Sequence, residues 1–356
     1  MKKSLFISGI LVILSFRIVI GQQNQVRFEQ LNIAEGLSHS LISGCAEDPT
    51  GFMWFSTQDG INRYDGYGFK VYQPGRGPRF PSSSWINNIF MDRFAQMWIF
   101  YQGQGISRFD TKTELFYEYR SDTAVKGSIS SELVQSSNRN ITNAFYEDNS
   151  GDLWIGTENG LNLYNRYEDT FTCFYHDSLN TGSLSDSRIL SLGGDSKGNI
   201  WIGTRNGLNR MDPKTGLCIR FEKGNTLNSL SDSSITSIFV ENDSAIWVGT
   251  SMGGLNLIEF PDNPGRLRIT RFLSHSVIEN AEANIISIYK TQTGKILVGM
   301  VGGLYEIRKN LNEWKVFPYQ KTLNYPIEVI IEDPNGNIWV SATISKNLFR
   351  FNPEMT

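Results

Sequence analysis

The sequence has few of the residues that build disulfide frameworks and metal sites. Among its 356 residues, the cysteines are Cys45, Cys173 and Cys218. Three cysteines cannot all pair, and each lies in a strand-like run, so we interpret them as small buried hydrophobic residues. The histidines are His39, His176 and His275. They fall in separate connecting segments without the spacing of metal ligands, and the sequence predicts no metal site and no cofactor.

The chain also lacks a charge excess. Its 33 lysines and arginines are balanced by 36 aspartates and glutamates, which gives a formal net charge of −3. No long basic run is present. Because a phosphate backbone is recognised through a basic surface, this balance argues against nucleic-acid binding.

Long apolar runs are missing from the chain except at its N-terminus, where Leu5 to Ile20 follows two lysines. Val19 and Gly21 satisfy the small-residue requirement before a signal-peptidase site, so we expect residues 1–21 to be a signal peptide. An uncleaved N-terminal anchor is the alternative, because the run approaches the length of a membrane span. Either alternative places residues 22–356 outside the cytoplasm.

What the chain has in abundance is glycine and aromatic residues, distributed over its whole length. The 33 glycines and the 12% aromatic content, in short runs separated by turn residues, predict an all-β protein. A repeat organises these runs, and its clearest copy is Ile141 to Tyr164, ITNAFYEDNSGDLWIGTENGLNLY. Seven copies can be aligned on the positions Trp54, Trp98, Trp154, Trp201, Trp247, Leu297 and Trp339. They lie about 42 to 56 residues apart, which is the size of one propeller blade.

Each part of the repeat has a physical role. Asp148, three residues before Gly151, is typical of a tight turn in which a carboxylate caps backbone N–H groups. Trp154 supplies a large ring for packing between blades, and Gly156 permits close approach of a neighbouring strand. The following Asn-Gly pair predicts a hairpin, and an aromatic run predicts a fourth, outer strand.

The last copy ends at Phe351, after its third strand, and lacks an outer strand. The segment Val26 to Asn32, VRFEQLN, precedes the first copy and has the missing outer-strand character. Pairing the two would close a ring and remove both open sheet edges. We therefore predict a seven-bladed β-propeller over residues 22–356, with four antiparallel strands per blade.

These motifs resemble a known family. The repeated D-x-x-G-x-I-W-I-G-T followed by N-G-L-N, the opening FEQLNIAEGLSHS and the phrase NRYDGYGFKVY are similar to the two-component regulator propeller repeat. The resemblance implies an extracytoplasmic sensor region of a hybrid histidine kinase from Bacteroidetes, which detects glycan breakdown products and controls carbohydrate-use genes. Relatives of the full hybrid type continue into a second propeller, a sandwich domain, a membrane helix, a kinase, a receiver and a DNA-binding module. Because none of these is found in this chain, we expect it to resemble the first propeller and to have no kinase activity alone.

Candidate ligand contacts come from residues that depart from the repeat or project from its turns. Connectors between blades and the turns between second and third strands emerge together on one face. We select the residues Arg79, Trp85, Tyr101, Gln102, Glu158 and Arg205, which could contact a sugar by ring stacking and charged hydrogen bonds. Ordinary surface loops are the alternative. The recurring serine-rich pieces 182–185 and 228–231 are interpreted as scaffolding at strand entry.

The function predicted from the sequence is a periplasmic sensing or binding module that is not an enzyme. Its expected ligand is an oligosaccharide, and its expected partners are a second propeller or sandwich domain of a sensor kinase, with a homodimer as a further possibility. A protein-interaction scaffold within a receptor is one alternative. A hydrolase or lyase acting on polysaccharide is the other.

Overall fold

A computed structural model describes residues 33–40, 42–75, 77–101, 105–131, 145–226, 228–260, 267–273, 283–310, 313–319, 322, 325–327, 329–332, 336–342 and 347–352. Over these ranges the chain is built from β-strands, and the short 3-10 helix is Ile33–Glu35. The all-β prediction is confirmed. The segment 26–32 lies outside the described residues, so the predicted closure of the ring stays a prediction.

The strands form consecutive antiparallel sheets in which each strand pairs with the next one along the chain. Sheet 1 contains β1 (Ile42–Glu47), β2 (Met53–Thr57), β3 (Gly60–Tyr64) and β4 (Phe69–Tyr72). Sheet 2 contains β5 (Ile86–Met91), β6 (Gln96–Tyr101), β7 (Ile106–Asp110) and β8 (Leu115–Tyr119). Sheet 3 contains β9 (Phe145–Glu147), β10 (Leu153–Thr157), β11 (Gly160–Asn165) and β12 (Thr170–Phe174).

The same arrangement continues to the C-terminal part of the chain. Sheet 4 contains β13 (Ile189–Gly194), β14 (Ile200–Thr204), β15 (Gly207–Met211) and β16 (Cys218–Phe221). Sheet 5 contains β17 (Ile235–Asn242), β18 (Ala245–Thr250), β19 (Leu255–Glu259) and β20 (Arg268–Phe272). Sheet 6 contains β21 (Ile285–Lys290), β22 (Ile296–Met300), β23 (Gly303–Asn310) and β24 (Glu313–Pro318). Sheet 7 contains β25 (Val329–Glu332), β26 (Ile338–Ala342) and β27 (Asn347–Phe351).

Six of these sheets are therefore the predicted four-stranded antiparallel units, and the described part of sheet 7 has three strands. The first strands of consecutive sheets lie side by side. Strand β1 contacts β5, β13 contacts both β9 and β17, and β21 contacts both β17 and β25. Between sheets 2 and 3, the ring of Phe90 stacks on that of Phe145 with centroids 5.2 Å apart. The hydrophobic cores lie between neighbouring sheets.

The repeated tryptophans fill these cores. Trp54, Trp98, Trp154, Trp201 and Trp247 are each at most 1% exposed. Trp98 of sheet 2 packs edge-on against Tyr164 of sheet 3, at 4.7 Å between centroids. Trp247 of sheet 5 meets Trp314 of sheet 6 at 5.2 Å. Trp339 lies in β26, and its side chain is outside the described part of the chain.

In sheets 3, 4 and 5 a glycine stands two residues after the tryptophan and allows the next sheet to approach, whereas sheets 1 and 2 have Ser56 and Phe100 there. A Cβ added at Gly203 would lie 2.2 Å from Ser191 Oγ of its own sheet and 2.8 Å from the Ile235 side chain of sheet 5. Because real Cβ atoms do not approach other atoms so closely, any larger residue would push the two sheets apart. Glycine at this position of sheet 4 therefore serves the packing against sheet 5.

The turn between first and second strands is organised by one carboxylate. In sheet 3, Asp148 Oδ1 accepts the backbone N–H groups of Ser150 (2.9 Å) and Asp152 (3.0 Å). Its Oδ2 accepts the indole N–H of Trp154 at 3.1 Å. Equivalent carboxylate–indole pairs are Asp48–Trp54, Asp92–Trp98, Asp195–Trp201 and Glu241–Trp247. In sheet 6, Thr291 stands in place of the carboxylate residue and Leu297 in place of the tryptophan.

Sheet 2 departs from this turn at Ala95, which stands where sheets 1, 3, 4 and 6 have glycine and sheet 5 has Ser244. Its φ is 62°, against 90° for Gly51 and 89° for Gly151. We expect Ala95→Gly to raise the free energy of unfolding by up to about 1 kcal/mol, because relief of left-handed strain outweighs the added chain entropy of glycine. Urea unfolding followed by fluorescence measures the change. As a control, Ala245→Gly in strand β18 should lower stability, and a destabilised Ala95→Gly variant would contradict the strain argument.

Candidate functional site

The strand order gives each sheet two distinct ends. The connectors between sheets and the turns between second and third strands emerge at one end, which we call the connector face. The turns between first and second strands and between third and fourth strands emerge at the other end, which we call the turn face. The candidate ligand residues that the structure describes belong to the connector face.

A repeated hydrogen-bond network holds each connector at its entry into the next sheet. In sheet 4, the backbone N–H of Ser185 donates to Asn209 Oδ1 at 2.9 Å, and Asn209 Nδ2 donates to Ser185 Oγ at 2.9 Å. Ser185 Oγ also lies 2.9 Å from Thr204 Oγ1. Related pairs are Ser38–Asn62, Ser130–Asn162 and Ser231–Asn256. These contacts provide the strand-entry role that the sequence predicted for the serine-rich pieces.

Sheet 2 lacks this network and carries Tyr101 and Ser107 instead. Tyr101 stands in the threonine position and is 4% exposed. The Tyr101 hydroxyl and Ser107 Oγ are buried, and neither has a hydrogen-bond partner of good geometry among the described residues. Ser107 and Ser82 are the polar residues near the Tyr101 hydroxyl. Burial raises the pKa of Tyr101. Its ring packs in the core between sheets 1 and 2 and is not offered to solvent for stacking on a sugar.

The other selected residues occupy different places on the connector face. Trp85 is 47% exposed just before β5, and Arg79 is exposed in the same connector. Glu158 lies on the turn after β10, where its carboxylate is 3.8 Å from the guanidinium of Arg188. The carbonyl of Arg188 accepts the backbone N–H of Arg205 at 3.1 Å.

Arg188 therefore brings Glu158 and Arg205 together. The sequence did not indicate Arg188, because it lies in a connector that the sequence predicts to be scaffolding. Gln102 lies outside the described residues. The connector face thus presents an exposed indole in one connector and a separate charged group on the turns of sheets 3 and 4.

Within the described residues, no group of three or more histidines, cysteines or acidic residues could hold a metal ion. His176 Nδ1 lies 2.7 Å from the carbonyl of Leu184, and His275 lies outside the described residues. In the same part of the chain, no helix has the length and apolarity that a membrane crossing needs.

The turn face carries an ion-pair cluster that the sequence did not indicate. Arg166 donates to Asp92 Oδ2 at 2.6 Å and to Glu147 Oε1 at 3.0 Å. Its guanidinium also lies 4.4 Å from the centre of the Phe94 ring. Because Asp92 and Phe94 belong to sheet 2 while Glu147 and Arg166 belong to sheet 3, the cluster ties the two sheets together.

A cleft of about 850 Å³ also opens on the turn face. Its walls come from Tyr146 of sheet 3, from Gly194 to Lys197 of sheet 4, and from Val240 to Ser244 of sheet 5. It combines an aromatic ring with amide, ammonium and carboxylate groups, which suits a polar organic ligand.

Comparisons with known proteins agree with this architecture. Residues 135–159 and 183–206 match the family model described as two component regulator propeller. A stretch of 52 residues is 35% identical to histidine kinase P4 of Formosa agariphila, and it covers 15% of this chain and 4% of that kinase.

Solved structures share the fold. The chain is similar to the extracellular domain of a hybrid two-component system of B. thetaiotaomicron, with a TM-score of 0.63 and 19% identity over 88% of this chain and 41% of that one. It is also similar to virginiamycin B lyase from Staphylococcus aureus, with a TM-score of 0.57 and 14% identity over 85% of this chain and 92% of that one.

Consecutive four-stranded antiparallel sheets with cores between them, shared with these structures, define the protein as a β-propeller. Two of its repeats match the two-component regulator propeller model. The chain spans less than half of the B. thetaiotaomicron extracellular domain, and its match to the kinase spans a small part of that protein.

Proposed function

We propose that this chain is an extracytoplasmic sensor propeller of a hybrid two-component system, which acts by binding rather than by catalysis. The observation that carries the proposal is the match of two repeats to the regulator propeller family, in a fold similar to the extracellular domain of a hybrid two-component system. The N-terminal apolar run supports export. Oligosaccharides derived from glycans are the ligand class that we propose.

Ring closure forms the second part of the proposal. Seven sheets follow one another in the described residues, and sheet 7 has three strands there. We propose that residues 26–32 add the fourth strand to sheet 7 beside Asn347–Phe351. A closed ring covers the open edge of sheet 7 and gives both faces a fixed geometry, which a module that reports on ligand binding requires.

A protein-interaction scaffold within a receptor is a second candidate, and the outer strands favour it. Several of them expose one large apolar side chain, namely Val71 (37%), Tyr117 (36%), Ile219 (52%) and Phe317 (36%). Such side chains at a sheet edge suit contact with a second propeller or a sandwich domain, or with another copy of the chain.

Calorimetric titration with a panel of glycan fragments separates these candidates. A sensor that binds oligosaccharides should give a saturable heat with at least one fragment, and the fragment should be recovered intact after incubation. A folded sample that is silent across the panel would favour the scaffold. New reducing or unsaturated ends in the recovered fragment would instead show a hydrolase or lyase.

A further inference from the structure

We propose that the cleft on the turn face, between sheets 3, 4 and 5, is a binding site for a neutral oligosaccharide. This inference deepens the proposed sensor function and rests on it. It places the ligand on the face opposite to the connectors from which the sequence suggested contacts.

The cleft lies where the fourth copy of the repeat has lost two side chains. Gly193 of sheet 4 pairs with Trp201. The position equivalent to Gly193 carries an aromatic ring in sheets 2, 3, 5 and 6, namely Phe90, Tyr146, Phe239 and Tyr289. Gly194 stands where these sheets have Met91, Glu147, Val240 and Lys290. Two successive positions of β13 therefore present backbone only, and side chains of the neighbouring sheets approach them: an added Cβ at Gly193 would lie 3.3 Å from the Ile238 side chain of sheet 5.

Tyr146 uses the space that Gly194 leaves. A Cβ at Gly194 would lie 2.2 Å from the Tyr146 hydroxyl oxygen, so the phenol lies directly over the glycine. This hydroxyl has no hydrogen-bond partner among the described residues. Burial and the nearby carboxylates of Asp148 and Asp195 raise the pKa of Tyr146, which keeps the hydroxyl protonated and able to donate. Together with Val240 and Phe260, its ring forms an apolar wall for the C–H face of a sugar.

The charges of the cleft select against charged ligands. Its carboxylates already have partners: Asp195 accepts the Trp201 indole and the Asn199 amide. Glu241 accepts the Trp247 indole and pairs with Lys290 at 2.6 Å. Asp243 accepts from the backbone and the hydroxyl of Ser196, at 3.0 and 2.7 Å.

A cation would have to displace the donors that these carboxylates already bind. An anion would face three carboxylates against two ammonium groups, those of Lys197 in the wall and of Lys290 paired with Glu241. A neutral ligand with many hydroxyl groups avoids both costs. It can bond to the free Tyr146 hydroxyl and to the exposed Asn149 side chain at the rim.

The test is calorimetry with neutral gluco-, manno-, xylo- and galacto-oligosaccharides, each beside a uronate- or sulfate-bearing counterpart. We expect at least one neutral member to bind more tightly than its acidic counterpart. Gly194→Val restores a side chain typical of the repeat, displaces the phenol and should weaken binding by at least about tenfold. Tyr146→Phe keeps the ring, removes only the hydroxyl and should weaken binding by about threefold to tenfold. Tyr67→Ala removes a 98% exposed ring from sheet 1 and should bind like the parent chain.

Several outcomes would overturn the inference. One such outcome is a sugar that binds both cleft variants with the affinity of the parent chain but binds Trp85→Ala more weakly. The sensor proposal would then stand, with its site on the connector face. Tighter binding of the acidic counterparts would refute the ligand class while leaving sugar sensing in place. A panel that is silent with the folded parent chain would refute this inference and the sugar-sensing proposal together.

Discussion

Replacing Trp201 with alanine is expected to lower the free energy of unfolding by about 3–5 kcal/mol. Trp201 is 1% exposed and packs in the core between sheets 4 and 5 with Leu208, Ile235 and Ile246. Truncation removes the largest side chain of that core and leaves a cavity that rigid sheets cannot close. It also removes the indole N–H that Asp195 accepts at 3.1 Å.

Two further variants separate the contributions in this prediction. Trp201→Phe keeps most of the ring and loses the hydrogen bond, so we expect an intermediate loss of about 1–2 kcal/mol. Trp85→Ala removes an indole that is 47% exposed and should cost less than about 1 kcal/mol. Chemical unfolding monitored by circular dichroism measures all three. Equal effects of Trp201→Ala and Trp85→Ala would contradict the role of the repeated tryptophans as packing between sheets.

Replacing Arg166 with alanine is expected to cost about 2–4 kcal/mol, because it leaves the Asp92 carboxylate without its cation, whereas Glu147 keeps an ion pair with Arg93 at 3.3 Å. The Asp92 side chain is 0% exposed and that of Glu147 is 10% exposed, whereas Arg166 is 25% exposed. The Asp92 carboxylate would then be held only by neutral donors, namely the backbone N–H groups of Phe94 and Gln96 and the Trp98 indole. The lower end of the range reflects the solvent access of Arg166 itself.

The matched control is Arg268→Ala, since Arg268 is 72% exposed and lies 3.8 Å from Glu259. We expect its effect to stay within about 0.5 kcal/mol. Combining Arg166→Ala with Asp92→Asn should recover part of the stability, since the second change removes a buried charge. Failure of the double variant to recover any stability, or a loss no larger than that of the control, would refute the buried ion-pair argument.

The repeat allowed much of the fold to be predicted because its residue types have local causes. Asp148, Gly151 and Trp154 specify a turn and a buried strand within a few residues of each other, so their spacing predicts a sheet without knowledge of its neighbours. The hydrogen bond from the indole to Asp148 was not predicted, although the joint loss of aspartate and tryptophan at residues 291 and 297 was a signal for it.

The site was harder to predict because it depends on contacts between copies of the repeat. Tyr101 departs from the repeat, and the sequence predicts that it contacts a ligand, but the adjoining sheet buries its side chain. Arg166 appears in the sequence as an ordinary turn residue, and its carboxylates lie in two different copies. Gly193 and Gly194 depart from the repeat by losing side chains, which is a weaker signal in the sequence than an added side chain.

The central claim is a ring of seven sheets closed by both ends of the chain, and hydrogen–deuterium exchange tests it most directly. The account predicts that the backbone amides of residues 26–32 exchange as slowly as those of an outer strand inside the ring, such as Thr170–Phe174. Exchange of residues 26–32 at the rate of an unstructured chain, while Thr170–Phe174 stays protected, would contradict the closed ring.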